Sequence, residues 1–219
     1  MFLIHELNQT FHLNADASIA IKKCAYMRGL FPFFGLETPL RRTLQKPLYK
    51  SNPLQDEWQL KQALQELWSK EQREFQYAAL DIARHFIKFT STDMLEIYEV
   101  MIRTKSWWDT VDDIAAHLVG SLLLDHPKLI PVMDRWIEDE NLWIKRTALI
   151  FQLKWKQRTD TDRLFTYCHK QMHDPDFFIR KAIGWALRQY SKTDPLAVKQ
   201  FIQNHQHQLI RIPIKNCIK

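Results

Sequence analysis

Glycine is scarce in this sequence, with four residues among 219. Enzymes with a Rossmann fold or a phosphate-binding loop need glycines where the backbone approaches phosphate groups. Neither the G-x-G-x-x-G pattern nor the G-x-x-x-x-G-K-[ST] pattern is present. The sequence therefore argues against both of these nucleotide-binding classes.

Cysteine is also rare, and the three cysteines are Cys24, Cys168 and Cys217. Their odd number and wide spacing fit neither a disulfide framework nor a zinc site, so we expect a reducing, cytoplasmic environment. The longest apolar run, Leu118–Leu124, is far shorter than the ~20 residues of a membrane helix. No basic secretion signal opens the sequence. We expect a cytoplasmic protein without a membrane segment.

Strand signals are absent, and nearly every segment has the apolar spacing of an amphipathic helix. Asp56 to Lys70, for example, places Trp58, Leu60, Leu64 and Leu67 at helical intervals. Thr38 followed by Pro39 indicates a helix start with Thr38 as N-cap. The predicted helices lie at about 1–13, 17–28, 39–49, 56–70, 71–89, 93–104, 107–124, 128–138, 141–156, 161–173, 176–191 and 195–206.

A repeat of about 35 residues runs through the chain from residue 56 onward. Small or apolar anchors lie 34 or 35 residues apart at Ala79, Ile114, Ala148 and Ile183. The aromatic residues Trp108, Trp143 and Phe178 are likewise 35 apart. A helix pair cannot bury its apolar stripe alone, whereas stacked pairs share a continuous core. We predict an all-α, curved solenoid of stacked antiparallel helix pairs (HEAT-like repeats), forming one domain over residues 1–219.

Charge is distributed unevenly. Residues 141–219 carry 15 basic and 5 acidic side chains, residues 51–140 carry 9 and 17, and residues 1–50 carry 7 and 3. Basic ends around an acidic middle suit a curved surface that binds a polyanion such as DNA. Ordinary solvated helix faces would produce the same pattern.

Three segments carry candidate functional residues. In the first, Trp108 and Asp112 are four residues apart and share a helical face, which suits a cationic base or a sugar that gains positive charge. The alternative is a core tryptophan beside a carboxylate paired with a neighbouring repeat. Ser106 and Asp109 predict a capping box at the start of this helix.

The second segment is Phe177-Phe178-Ile179-Arg180-Lys181-Ala182-Ile183-Gly184-Trp185-Ala186-Leu187-Arg188. Its residues Lys181, Trp185 and Arg188 share one helical face, and Gly184 allows close approach of a neighbour or ligand. The third segment, Asn141–Ala148, contains Arg146, which lies close to the position equivalent to Lys181 in the preceding repeat. Each cation can equally be a solvated surface residue.

These segments, together with Tyr26-Met27, Phe34-Gly35-Leu36, Arg41-Arg42 and Glu71–Ala79, resemble the AlkD-type DNA alkylation repair proteins. The resemblance runs from about Tyr26 to Tyr190. It implies a HEAT-like DNA glycosylase that removes N3- and N7-alkylated purines from duplex DNA, with the base left in the stack. It also implies no metal and no cofactor, and we expect a monomer.

The resemblance assigns a role to individual residues. Asp112 corresponds to the catalytic aspartate, and Trp108 and Trp185 to the tryptophans on either side of the lesion's deoxyribose. Arg146 corresponds to an arginine at the DNA backbone. The remaining expected DNA contacts are Tyr26, Phe177, Phe178, Lys181 and Arg188.

Other features leave alternatives open. His169 and His173 have the i, i+4 spacing of a metal pair beside Cys168, but no glutamate follows His169. The segment Leu209–Lys219, with Pro213, departs from the last helix of the family, which puts a terminal DNA clamp in doubt. A catalytically silent binder of damaged or branched DNA is the alternative function. A protein-interaction scaffold would leave Trp108, Asp112 and Trp185 unexplained.

Overall fold

All regular secondary structure of the described residues is helical. The computed structural model describes residues 2–209, 212 and 213. It divides into two compact units, residues 1–97 and 98–219. The all-α prediction is confirmed, and the helix arrangement is consistent with HEAT-like repeats. The solenoid curvature and the single domain stay predictions.

The first unit contains five helices and the start of a sixth. They are α1 (Phe2–Leu13), α2 (Ala17–Tyr26), α3 (Thr38–Ser51), α4 (Glu57–Ser69), α5 (Arg73–His85) and α6 (Met94–Arg103), with a 3₁₀ turn at Ile87–Phe89. Helix α4 packs against α5, and α1 packs against α3. Leucines of α4 and alanines of α5 are fully buried between them, which explains the apolar spacing in the sequence.

A buried carboxylate organises the loop before α3. Both oxygens of Glu74, at the start of α5, accept hydrogen bonds from the backbone amides of Phe34, Gly35 and Leu36, at 3.0–3.1 Å. Three amide donors compensate a carboxylate that has no exposed surface. The Phe34 ring then packs against Phe11 and Phe75, with centroid distances of 6.1 and 5.3 Å. The loop is thereby attached to the core of this unit.

The second unit begins within α6. Its further helices are α7 (Trp108–Asp113), α8 (Gly120–Asp125), α9 (Pro131–Trp136), α10 (Leu142–Ile150), α11 (Thr161–Gln171), α12 (Phe177–Tyr190) and α13 (Pro195–Asn204). A π-helical turn, Ile114–Val119, joins α7 to α8. Helix α10 packs against α12 and α9, and it also contacts α7. Its residues Ile144, Ala148 and Ile150 are buried.

Two predicted caps and one predicted helix end are wrong. Helix α3 begins at Thr38 itself, and Glu37 is its N-cap without a side-chain cap bond. Helix α7 has Trp107 as N-cap, because the Ser106 hydroxyl donates instead to the Ile102 carbonyl at 2.6 Å. Helix α10 ends at Ile150, six residues before the predicted end. The Gln152 side chain there bonds the backbone of Asp160 rather than facing solvent.

Gly184 allows a close approach, as predicted, and the neighbour is the chain itself. A Cβ atom at this position would lie 2.9 Å from the carbonyl oxygen of Pro213. The described part of the C-terminal segment therefore packs on α12. The rest of Leu209–Lys219, including Cys217, lies outside the described residues.

Candidate active site

Asp112 and Arg146 form a two-pronged ion pair between α7 and α10. The Nε of Arg146 donates to Oδ1 of Asp112 at 2.7 Å, and Nη2 donates to Oδ2 at 2.8 Å. The Asp112 side chain is 18% exposed and the Arg146 side chain 6%. Parallel N–H···O bonds of this kind are the strong geometry for arginine and a carboxylate. The carboxylate therefore has a defined orientation and a small accessible edge.

Burial and charge act on Asp112 in opposite directions. Loss of water around the carboxylate raises the pKa of Asp112, while the hydrogen bonds and positive charge of Arg146 lower it, and the net pKa lies above the ordinary value. The neighbouring carboxylates of Asp109 and Asp113 raise it further. Arg146 thus provides the main contribution that favours the ionised form of Asp112 in a partly dry site.

Arg146 has a third hydrogen-bond partner on α12. Its Nη1 donates to the backbone carbonyl of Phe178 at 2.5 Å, and its guanidinium lies 5.9 Å from the Phe178 ring centre. Nε and both terminal nitrogens are therefore engaged within the protein. One side chain links α7, α10 and the first turn of α12. The predicted contact of Arg146 with the DNA backbone stays a prediction.

An aromatic cluster lies beside this ion pair. The rings of Trp107, Trp143 and Phe178 have centroid distances of 4.9–5.6 Å to one another. The sequence repeat had placed Trp108, rather than Trp107, in the series with Trp143 and Phe178. The sequence did not indicate Trp107, because the residue before a helix follows no helical periodicity. Its backbone is extended, with a φ of −161°.

The π-helical turn follows Asp112 almost directly. It brings Gly120 against α10's C-terminal end, where a Cβ atom would lie 2.2 Å from the Phe151 carbonyl oxygen. The indole N–H of Trp155 donates to the Gly120 carbonyl at 2.9 Å. Single π turns inside α-helices often occur at functional sites. Nothing in the sequence spacing distinguishes such a turn from a continuous helix, and the sequence predicted one helix over 107–124.

The other predicted site residues occupy α7 and α12. Trp108 is half-buried one helical turn before Asp112, and Trp185 is half-buried on α12. Phe177 is 54% exposed, and the ammonium group of Lys181 lies 5.4 Å from its ring centre. Arg188 is exposed near the end of α12.

Tyr26 belongs to the first unit. It is the last residue of α2 and is 71% exposed. The structure therefore brings Asp112, Arg146 and Phe178 into direct contact and places Trp108 and Trp185 on two of the helices that Arg146 links. Tyr26 stays a predicted DNA contact of the first unit.

The histidine pair with metal-like spacing lies on an exposed surface. His169 lies on α11 with its ring centre 5.2 Å from that of His205, and both His169 and His173 are exposed. Within the part of the chain that the structure describes, no three histidine, cysteine or acidic side chains form a metal-binding group. No described helix has the length and apolarity needed to cross a membrane.

Comparison with known proteins extends the resemblance seen in the sequence. A family model described as DNA alkylation repair enzyme matches residues 7–219. The chain belongs to the DNA alkylation repair enzyme family. One solved structure similar to it is a "Predicted DNA alkylation repair enzyme from Enterococcus faecalis", with 32% identity and a TM-score of 0.81. The similarity covers 92% of this chain and 97% of that one. The curated proteins contain no significant match.

Family membership supports a role in DNA alkylation repair. The match extends across both compact units, so it includes the Asp112–Arg146 pair and the loop held by Glu74. As a DNA alkylation repair protein, the chain is expected to interact with DNA.

Proposed function

We propose that this protein is a DNA glycosylase that hydrolyses the N-glycosidic bond of N3- and N7-alkylated purines in duplex DNA. The observation that carries the proposal is the pairing of Asp112 with Arg146 in a largely buried site. A buried carboxylate without a cation would take up a proton more readily. Arg146 favours the ionised form of Asp112, which is the form that can stabilise a positive charge on a sugar.

The chemistry of the lesion explains why one carboxylate suffices. Sugar hydrolases generally use a second carboxylic acid to protonate the leaving group. A purine alkylated at N3 or N7 is already cationic, so the electron pair of the breaking bond neutralises the base as it leaves. Water then adds its oxygen to C1′ and releases a proton. The remaining requirement is to stabilise the positive charge that develops on the deoxyribose, and Asp112 supplies this.

Trp108 and Trp185 complete the proposed site. They lie on α7 and α12, two of the helices that Arg146 links through Asp112 and the Phe178 carbonyl. An aromatic face attracts a nearby cation by about 0.5–2 kcal/mol. In this proposal the two indoles flank the deoxyribose and the alkylated base stays in the duplex stack.

The remaining predicted contacts would bind the DNA backbone around this site. Lys181 and Arg188 are exposed cations on α12, and Phe177 is an exposed aromatic at its start. Phe178 would contribute through the contacts that hold Arg146, and Tyr26 stays a predicted DNA contact of the first unit. Such contacts position the duplex but carry no sequence information.

The direct test is base release from duplex DNA that contains 7-methylguanine or 3-methyladenine. We expect release by purified protein without added metal and with undiminished yield in EDTA, because the cationic leaving group needs no further electrophile. Release that requires a divalent metal would contradict the mechanism. The variant Asp112→Asn, expected to release base ~10²–10³-fold more slowly, is the matched control for contaminating activity.

A silent DNA-binding protein is the second candidate. It is favoured by one feature: both Asp112 oxygens already accept hydrogen bonds from Arg146, as a purely structural pair would. This candidate predicts affinity for damaged or branched duplexes without release of either methylated base.

A further inference from the structure

Helix α3 presents a row of cations in the first unit. Arg42, Lys46 and Lys50 lie at i, i+4 and i+8 and therefore share one helical face. All three are exposed. The segment Thr38–Ser51 contains no acidic residue. We refer to these three side chains as the α3 basic row.

Intramolecular charge does not explain the whole row. Arg42 bonds Asp81 on α5 through Nε and Nη2, at 3.3 and 3.1 Å. Lys46 and Lys50 form no ion pair with any residue that the structure describes, and Glu37, just before the helix, lies 3.8 Å from Lys23. Like charges four residues apart destabilise a helix slightly. An anion bound from outside the chain would relieve this repulsion, so the arrangement points to an external anionic partner.

Arg42, the first residue of the α3 basic row, lies in a strongly positive environment. Asp81 accepts hydrogen bonds from three guanidinium groups, those of Arg41, Arg42 and Arg84. Burial alone would raise the pKa of Asp81, but the charges and bonds of these arginines lower it below its ordinary value. Asp81 is thus an ionised anchor that holds the Arg42 side chain while 54% of it remains exposed.

The length of the row fits a nucleic-acid strand. Eight residues of helix at 1.5 Å each span about 12 Å. At about 3.4 Å per nucleotide, the same length of duplex axis contains three to four phosphates of one strand. The Arg42 guanidinium, oriented by Asp81, and the two ammonium groups, which have no ion pair among the described residues, can approach such a series without disturbing the core.

We infer that the α3 basic row is a second DNA-backbone contact, separate from the residues of the candidate active site. The choice of DNA as the polyanion rests on the proposed function. The row provides affinity for undamaged and damaged duplex alike, because phosphate contacts carry no sequence or lesion information. It has no part in breaking the glycosidic bond.

The test measures how the affinity for an undamaged duplex depends on salt. We compare the wild type with a triple variant, Arg42→Gln, Lys46→Gln and Lys50→Gln. Each phosphate contact contributes about 0.9 to the slope of log affinity against log salt. The triple variant should lose about 2–3 from that slope. The double variant Lys46→Gln, Lys50→Gln leaves the Asp81–Arg42 contact intact and should lose just under 2, even if the triple variant folds poorly.

A control variant with the same change in net charge distinguishes the loss of local phosphate contacts from the loss of overall positive charge. Lys128→Gln, Lys154→Gln and Lys199→Gln remove three exposed lysines of the second unit. This control should retain nearly the wild-type slope. Equal slopes for the control and the α3 variants would overturn the inference, as would α3 variants that match the wild type.

The outcome is independent of catalysis, because the duplex carries no lesion. If the wild type binds with a slope that only the α3 variants lose, yet releases no alkylpurine, the basic row stands and the glycosylase proposal fails. If base release occurs but the α3 variants retain the full slope, the glycosylase proposal stands and the basic row fails. At saturating protein, the α3 variants should release base at the wild-type rate.

Discussion

Asp112 and Arg146 lie 34 residues apart in the chain, and Arg146 donates two parallel hydrogen bonds of 2.7 and 2.8 Å to the Asp112 carboxylate. Because Arg146 also bonds the Phe178 carbonyl, the orientation of the carboxylate depends on three helices rather than one. The geometry assigns different roles to the two residues, and the loss of either one would affect the rate of base release. Asp112 would act on the substrate, while Arg146 sets the charge and direction of Asp112.

Asp112→Asn tests the first role. Asn retains the shape of the side chain but cannot match positive charge on the sugar, so the single-turnover rate of base release should fall ~10²–10³-fold. The substitution also leaves Arg146 without its counter-charge, and loss of one partner of a buried pair costs about 3–5 kcal/mol. The melting temperature should therefore decrease. The rate is to be measured per folded molecule on the same preparation.

Asp139→Asn is the matched control for that experiment. Asp139 accepts two hydrogen bonds from Arg103, at 3.2 and 2.5 Å, so the substitution breaks an ion pair of the same kind outside the site. It should leave the rate per folded molecule unchanged. An unchanged rate in Asp112→Asn as well would show that Asp112 has only a structural role.

Arg146→Gln tests the second role through pH. Arg146 lowers the pKa of Asp112 against the effect of burial. Without the arginine, the pKa of Asp112 should rise further, and the carboxylate should become protonated at a higher pH. The acid limb of the pH–rate profile, measured at saturating DNA, should then move to higher pH. Arg146→Lys retains a positive charge but lacks the two parallel donors of a guanidinium. It should therefore move the acid limb less than Arg146→Gln does. Arg103→Gln should not move it.

Trp185→Leu tests the proposed indole face. Loss of about 0.5–2 kcal/mol of cation–π attraction corresponds to a roughly 2–30-fold slower release of 7-methylguanine. Trp185→Phe retains an aromatic face and should retain more of the rate. Trp58→Leu removes an indole that is 68% exposed on α4, and it should have no effect. Equal rates for Trp185→Leu and Trp185→Phe would argue against an aromatic contribution at this position.

Gly35→Ala tests the loop that Glu74 organises. Gly35 has a φ of +90°, and an added Cβ atom would lie 2.0 Å from the Asp16 carbonyl oxygen. Backbone strain alone costs of order 1–3 kcal/mol, and the clash adds to it. Gly29→Ala is the control, because Gly29 has a φ of +74° with no atom within 4 Å. Urea unfolding should show a clearly larger loss for Gly35→Ala. Equal losses would mean that the loop simply moves away.

Much of the site follows from local sequence. Asp112 and Trp108 are four residues apart, so any helix through them places them on one face. The lack of a side chain at Gly184 predicted a close neighbour there, and that neighbour is Pro213. Resemblance to the family then assigned roles that spacing alone left open. Every predicted helical segment overlaps an observed helix, because apolar periodicity follows from the geometry of the α-helix itself.

The sequence by itself determined the helical content, the approximate helix positions and the type of residues at the candidate site. Only the tertiary structure decided which partner each polar group has. Ser106 bonds a carbonyl of the preceding helix instead of capping α7, and Trp107 rather than Trp108 joins Trp143 and Phe178. Arg146 is buried against Asp112 rather than solvated. The physical reason is that periodicity records which face of a helix is apolar. It does not record which acceptor a hydroxyl finds, nor which side chains of segments far apart in the chain come into contact.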